Sequence, residues 1–316
     1  MRDLGGLLRR IPHMKTLLAL ILATLAAAPA ALADGVPQYA AQGGSGITGP
    51  NGLRYVALGA SDQTLLTYST PDGALWSGPA VPGSYGIPMV TYRDAAGLSR
   101  DGRTLFLQST AYGSPTRFLV LDTRPLSIRD RFTLNGNFSF DALSPDGSRL
   151  YLIQRVDATN YSRYVVRAYD VRRHTLLPGL VADRTQKDWV MEGQAMTRAT
   201  TPGGRWVYTL YSNPNGYPFI HALDTVRGVA HCIGIPWTSS DQGALWNVVL
   251  SPTRHGIDVH WRSGKRWLAV DTTTWRVSPD GGSGFPWPWL GFLAVPPLLV
   301  LLRRRRPHGT LLPREA

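Results

Sequence analysis

The sequence predicts an all-β fold in which four-stranded antiparallel sheets repeat around an axis as the blades of a β-propeller. Three observations predict it. One turn-then-strand phrase recurs five times, a second phrase recurs in step with it, and no amphipathic helix separates the copies. A lone four-stranded sheet cannot bury both its faces. Sheets set around an axis can, each against its two neighbours.

The first phrase is clearest in LSPDGSRLYL, Leu143 to Leu152. Ser-Pro-Asp-Gly is turn chemistry, with one φ fixed near −65° and a residue that tolerates positive φ. The residues after it alternate as a half-buried strand does. RDGRTLFL (Arg100 to Leu107) matches closely. PNGLRYVAL (Pro50 to Leu58) and PGGRWVYTL (Pro202 to Leu210) match with small shifts, and SPTRHGIDV (Ser251 to Val259) is a degenerate fifth copy. The turns at 50, 100, 145, 202 and 252 are 50, 45, 57 and 50 residues apart.

The second phrase is an apolar strand, an Asp and a polar turn. It stands in FLVLDTRPLSI (Phe118 to Ile128), VVRAYDVRRHTL (Val165 to Leu176), FIHALDTVRGVA (Phe219 to Ala230) and WLAVDTTTWRV (Trp267 to Val277). LLTYSTPDGAL (Leu65 to Leu75) is the first copy, with Ser69 in the Asp place. Asp122, Asp170, Asp224 and Asp271 are expected to accept backbone N–H bonds from the turn that follows each. Each unit then supplies an inner strand before the Pro-Asp-Gly turn (NFSFDALS), one after it, one ending in the Asp, and an outer one (SIRDRFTL). Five copies over 34–278 predict five blades. A sixth, completed by 34–48 or by strands outside the repeated phrases, is the alternative.

The stretch FLVLDTRPLSIRDRFTLNGNFSFDALSPDGSRLYLIQ resembles the YVTN-type propeller repeat and shares its SPDG-strand core with the TolB-type repeat. The resemblance is clear over 98–155 and degenerate over 50–97 and 196–277. It implies a propeller on the outer side of a bacterial membrane.

The two ends point the same way. Met14 to Ala33, MKTLLALILATLAAAPAALA, has a Lys, an unbroken apolar run and Ala31-Leu32-Ala33 before Asp34. That is the order of a secretory signal cleaved near Ala33, in a segment 1–33 whose true start is expected at Met14. Phe285 to Leu302 holds 18 residues without a charge, Trp287 and Trp289 at its leading edge, and Arg303 to Arg306 directly after. At about 1.5 Å per residue it spans about 27 Å, close to a hydrocarbon core of about 30 Å. The aromatic edge and basic flank give an outside-to-inside orientation. Residues 285–302 are therefore expected to be a transmembrane helix and 303–316 a basic cytoplasmic tail. The Gly/Ser linker 279–284 before them gives the C-terminus a resemblance to bacterial surface-sorting signals. The chain is expected to be extracytoplasmic and held to the cell membrane.

The formal net charge is +12, but 34–284 holds 24 basic and 19 acidic residues, so the tails carry most of the excess. A nucleic-acid partner would need that excess as a patch on the folded domain, and none is expected. Cys232 is the sole cysteine, so no disulfide can form within the chain. The histidines at 174, 221, 231, 255 and 260 show no metal-ligand spacing, and no Gly-x-Ser-x-Gly elbow, phosphate loop or dinucleotide fingerprint occurs. No metal or cofactor is expected.

Ligands of propellers meet the central channel, which the innermost strands line. Polar residues on the candidate inner strands are Arg93, Asp94, Asp141, Glu192, Gln194 and Asn247, with Trp246 beside the last. Two readings follow. The first is a non-catalytic binding or scaffolding module at the cell surface, meeting a surface glycan or protein through the Tyr- and Asn-rich loops RVDATNYSRY (Arg155 to Tyr164) and YSNPNGYP (Tyr211 to Pro218). The second is a glycosidase-like or lactonase-like hydrolase. Glu192, the one glutamate of the middle domain, would work there with Asp94 or Asp141, the two carboxyls about 5–10 Å apart.

Overall fold

The computed structural model of the chain describes residues 40–279 apart from 45, 187 and 240. The expected export signal, the expected membrane helix 285–302 and the basic tail lie outside the described residues. Among the described residues no helix is long and apolar enough to cross a membrane.

A short strand β1 (Ala40–Ala41) precedes five antiparallel sheets. The first holds β2 (Ile47–Thr48), β3 (Arg54–Ala60), β4 (Gln63–Ser69) and β5 (Leu75–Pro82). The second holds β6 (Tyr85–Pro88), β7 (Thr104–Ser109), β8 (Thr116–Thr123) and β9 (Leu126–Leu134). The third holds β10 (Phe138–Leu143), β11 (Arg149–Arg155), β12 (Arg163–Asp170) and β13 (Thr175–Leu176), and β14 (Met191–Glu192) also pairs with β12. The fourth holds β15 (Gln194–Thr200), β16 (Trp206–Ser212), β17 (Phe219–Asp224) and β18 (Val229–Gly234). The fifth holds β19 (Val248–Pro252), β20 (Gly256–Trp261), β21 (Arg266–Asp271) and β22 (Val277–Pro279). Apart from β1 on β6 and β14 on β12, strands pair with their sequence neighbours, so each sheet is a meander, and the series has the arrangement of propeller blades.

The segment weighed for a sixth blade is divided between the first two sheets. β1 adds to the free edge of β6 through Ala40 and Ala41, while Ile47 and Thr48 pair with β3. The widest repeat spacing also has a cause. The outer edge of the third sheet comes in two pieces, β13 and β14, and the connection between them holds the additional residues.

The first phrase folds into the same turn in the first four sheets, while the degenerate fifth copy closes through Thr253 N–H to Gly256 O instead. In the third sheet Gly147 N–H donates to Ser144 O (2.9 Å), Ser144 Oγ donates to Asp146 Oδ1 and Arg149 N–H donates to Ser144 Oγ. Ser99, Asp101 and Thr104 repeat the pattern in the second sheet. Gly52, Gly102, Gly147 and Gly204 sit at φ of +75°, +68°, +67° and +73°, where a side chain would be strained.

Burial explains why the middle strands read as near-continuous apolar runs. Along β11, Leu150 and Leu152 face the second sheet, packing with Phe118 and Val120 of β8. Tyr151 and Ile153 face the fourth sheet, packing with Val207 and Tyr211 of β16. A second pair of clusters joins the first sheet to the second, around Tyr55, Leu66 and Leu107, and the fourth to the fifth, around Leu210, Ile220 and Val259. Strands such as β7 and β11 therefore bury both their faces.

Candidate functional site

The cavity is built where inner strands and loops meet at the ends opposite the Ser-Pro-Asp-Gly turns. β6 does not continue smoothly to its turn. After Pro88 the chain makes an excursion, closed by a bridge between Met89 and Ala95, and pairing resumes at Leu98 with Leu105. Thr91 and Asp94 shape it: Thr91 Oγ1 donates to Asp94 Oδ2 (2.6 Å) and accepts from the N–H groups of Arg93 and Asp94. The excursion carries Tyr92 edge-on to Trp246, just before β19, with ring centroids 5.1 Å apart. Trp246 lies on a single 3-10 turn, Gly243–Asn247, anchored by the buried Leu245, and its carbonyl accepts from Arg262 Nε.

Two loops complete the walls. The loop after β11 is tied by Asp157, whose Oδ1 accepts from Thr159 and Asn160 N–H and whose Oδ2 pairs with Arg163 (3.1 Å). Those N–H donors hold the Asp157 carboxyl well below the usual carboxylate range. The loop after β16 is clamped by the Gln242 amide. It accepts from Asn213 N–H (2.7 Å) and donates to the carbonyls of Asn213 and Gly216.

The result is a cavity of about 430 Å³ lined by strands of the third and fourth sheets, the excursion after β6, the loops after β11 and β16, and the segment around the 3-10 turn before β19. Its aromatic walls are Tyr92, Phe140, Tyr161, Tyr211 and Trp246. Its neutral polar groups include Ser139, Ser162, Gln194, Ser212 and Gln242, with Arg155 and Asp241 the charged lining residues. Size and composition are those of a small-molecule site.

Of the residues singled out from sequence, Gln194 and Trp246 line the cavity. Asn247 is exposed, and its carbonyl accepts from Arg262 N–H. Arg93 is exposed on the excursion, and Asp94 is bonded to Thr91. Asp141, on β10, is buried and paired with Arg198 of β15 at 2.9 Å. Glu192 Oε1 accepts from Asn215 Nδ2 (2.8 Å), Asn160 Nδ2 (3.1 Å) and Ser162 Oγ (3.3 Å), which couples the two rim loops. None of the three carboxylates is among the cavity's lining residues.

The Asp positions of the second phrase divide. Asp170, Asp224 and Asp271 each accept two backbone N–H bonds from the following turn. Asp122 accepts none there and pairs with Arg129 (3.1 Å). In its turn the third residue on is Pro125, which has no N–H to give.

Sequence reasoning did not single out Tyr92, Gln242, Arg198 or Asp183. Asp183 is buried in the connection before β14, and its Oδ2 accepts Cys232 N–H of β18 (2.9 Å). Only Tyr92 left a trace, in the polar insertion TYRD that breaks an otherwise apolar inner strand. Below the cavity wall, burial pushes Tyr164 and Tyr211 up and His221 down, so all three are neutral near pH 7. Burial also pushes the Cys232 thiol up to about 12, which removes its nucleophilic form.

No family profile and no curated protein matches the chain. Solved structures do. A hydrazine synthase of Kuenenia stuttgartiensis aligns at 14% identity over 71% of this chain and 63% of its own, with a TM-score of 0.43. TolB of Acinetobacter baumannii aligns at 10% identity over 68% and 50%, with a TM-score of 0.40. A prolyl endopeptidase aligns at 11% identity over 87% and 42%, with a TM-score of 0.45. The chain thus spans about two thirds or less of each of these proteins. The five meandering sheets themselves carry the fold assignment.

Proposed function

We propose that this chain is an exported, membrane-tethered, five-bladed β-propeller that binds a ligand in its central cavity without catalysis. The observation that carries this reading is the fate of the carboxylates. Hydrolysis of a glycoside needs two carboxyl groups facing one substrate. Here Glu192 couples two loops, Asp141 is paired with Arg198 and Asp94 shapes a turn, which leaves Asp241 as the one carboxylate among the cavity's lining residues, beside Arg155, aromatic rings, amides and hydroxyls. Export and tethering are supported by the signal-like segment 14–33 and by the uncharged run 285–302 with Arg303 to Arg306 behind it.

The test is a thermal-shift screen of the full chain against small molecules and oligosaccharides, with chromogenic glycosides and lactones assayed for turnover in parallel. The expected result is a ligand that raises Tm in the wild type, loses its effect in Trp246→Ala, and is recovered unaltered. Turnover abolished by Glu192→Gln would establish the hydrolase instead. Tethering predicts that removing 285–316 releases the protein from the membrane fraction.

A further inference from the structure

The central cavity is not the only hollow on its face. A second one, of about 400 Å³, opens between the loop after β7 and the loop after β11. It is lined by Tyr112, Gly113, Asn137, Val156 and Asp157, together with Arg155 and Tyr161, and those last two also line the central cavity. The two hollows are therefore neighbours across a shared wall. Tyr112 stands edge-on to Tyr161, with ring centroids 4.9 Å apart, so one ring braces the other at that wall. Tyr92, Tyr112 and Tyr161 are about two-fifths exposed, and Val156 nearly half. Aromatic rings left in water beside two adjoining hollows are a feature that folding alone does not require.

We propose that the two hollows form one continuous site for a neutral oligosaccharide, with one end of the chain in the central cavity and the rest crossing Tyr161 onto Tyr112. The inference rests on the reading of the cavity as a ligand site and adds the ligand's class and its path. Three features select that class. A pyranose offers an apolar C–H face and a rim of hydroxyls, and these match exposed tyrosine rings beside amide and hydroxyl groups. The charged residues of the central cavity are of opposite sign, Arg155 and Asp241, and the Asp157 carboxylate of the second hollow is already paired with Arg163. A strongly charged chain meets no matching field there. Tyr161 also stands on a loop that Glu192 ties to the loop after β16, itself clamped by Gln242, so little ordering of that shared wall is left to occur on binding.

The experiment is calorimetric titration of the full chain with mono-, di- and hexasaccharides of glucose, xylose, mannose and N-acetylglucosamine, and with a galacturonate hexamer. For at least one neutral series, the hexasaccharide is expected to bind about ten-fold or more tightly than the disaccharide. In Tyr112→Ala that gain disappears and the two lengths bind alike. Tyr112→Phe keeps the ring and keeps the gain, which separates stacking from a folding defect. Binding that saturates at a disaccharide, a preference for the galacturonate hexamer, or no response to any neutral series overturns the proposal. The underlying reading fails separately, if the ligands that bind are insensitive to Trp246→Ala. A small molecule or peptide that binds through Trp246 while every neutral sugar fails would leave the cavity reading standing and end this one.

Discussion

Asp141 and Asp258 each pair with an arginine, yet the two pairs differ in what surrounds them. The Asp141 and Arg198 side chains are 3% and 9% exposed, whereas Asp258 and Arg266 are 37% and 49% exposed. Removing one partner of a buried pair strands the other charge in low dielectric, so Asp141→Ala should cost about 3–5 kcal/mol in urea unfolding. Asp258→Ala leaves a solvated guanidinium and should cost at most about 1 kcal/mol. His221 sits buried in the same region, and the charged and titratable groups around it include Asp141, Arg198, Asp183, His231, Tyr211 and Cys232. Burial depresses its pKa, so the folded protein holds it neutral while the unfolded chain protonates it below about pH 6.5. Below that pH the unfolded state binds the extra proton, so stability falls as pH drops, by at most about 1.4 kcal/mol per pH unit. Tm measured from pH 7.5 to 5 should decline in the wild type and decline less in His221→Phe. An equal slope in both would remove His221 as the cause. A second loss belongs below about pH 4, where Asp146, held at about 2 by its Ser144 and Ser148 partners, begins to lose the stabilisation present at higher pH.

At the scale of elements, the repeated turns show what a sequence can and cannot reveal. The phrases around Asp101 and Asp146 were legible because each turn is closed by its own residues within five positions. The propeller was legible for the same reason, since strands buried on both faces leave near-continuous apolar runs that recur about every 50 residues. Long-range partners left no such mark. Asp141 and Arg198 are 57 residues apart, Asp183 and Cys232 are 49 apart, and nothing local to either announces the other. Asp122 shows how one neighbour changes a repeated role: Pro125 removes a donor that Arg173, Arg227 and Thr274 supply to their aspartates. Asp170→Ala should therefore lower the denaturant midpoint more than Asp122→Ala, which loses only a half-exposed ion pair worth at most about 1 kcal/mol. Gly147→Ala meets no atom within 4 Å but keeps φ at +67°, so it should cost about 1 kcal/mol from backbone strain alone. Denaturant midpoints of the three variants, compared with the wild type, check both assignments.

For the whole domain, the clusters between sheets set the order in which it comes apart. Contiguous buried apolar clusters join the first sheet to the second, the second to the third, the third to the fourth and the fourth to the fifth. None of them joins the fifth to the first among the described residues. The outward side of the first sheet leaves Leu58 37% and Leu75 71% exposed. The outward side of the fifth holds Asp258, Arg266 and the Ser251–His260 bond in place of apolar packing. Nor does a strand exchange lock the two ends, because the described strands of the first sheet all come from 47–82 and those of the fifth from 248–279. In a series of repeats, stability is a sum of unit and neighbour contributions, and a unit with one packed face has the smaller sum. The terminal sheets should therefore open below the global unfolding free energy. Native-state hydrogen exchange provides the measurement. Amides of β3, β4, β20 and β21 should exchange through a lower-energy opening than those of β7, β8, β11 and β12, and low denaturant should widen the gap. Removing an apolar side chain should follow the same order. Leu152→Ala, at the heart of the contact between the second and third sheets, should lower the global midpoint by the equivalent of about 2–5 kcal/mol. Leu58→Ala should barely move it. Uniform protection across all five sheets would mean that the two ends are joined by a contact as strong as the other four.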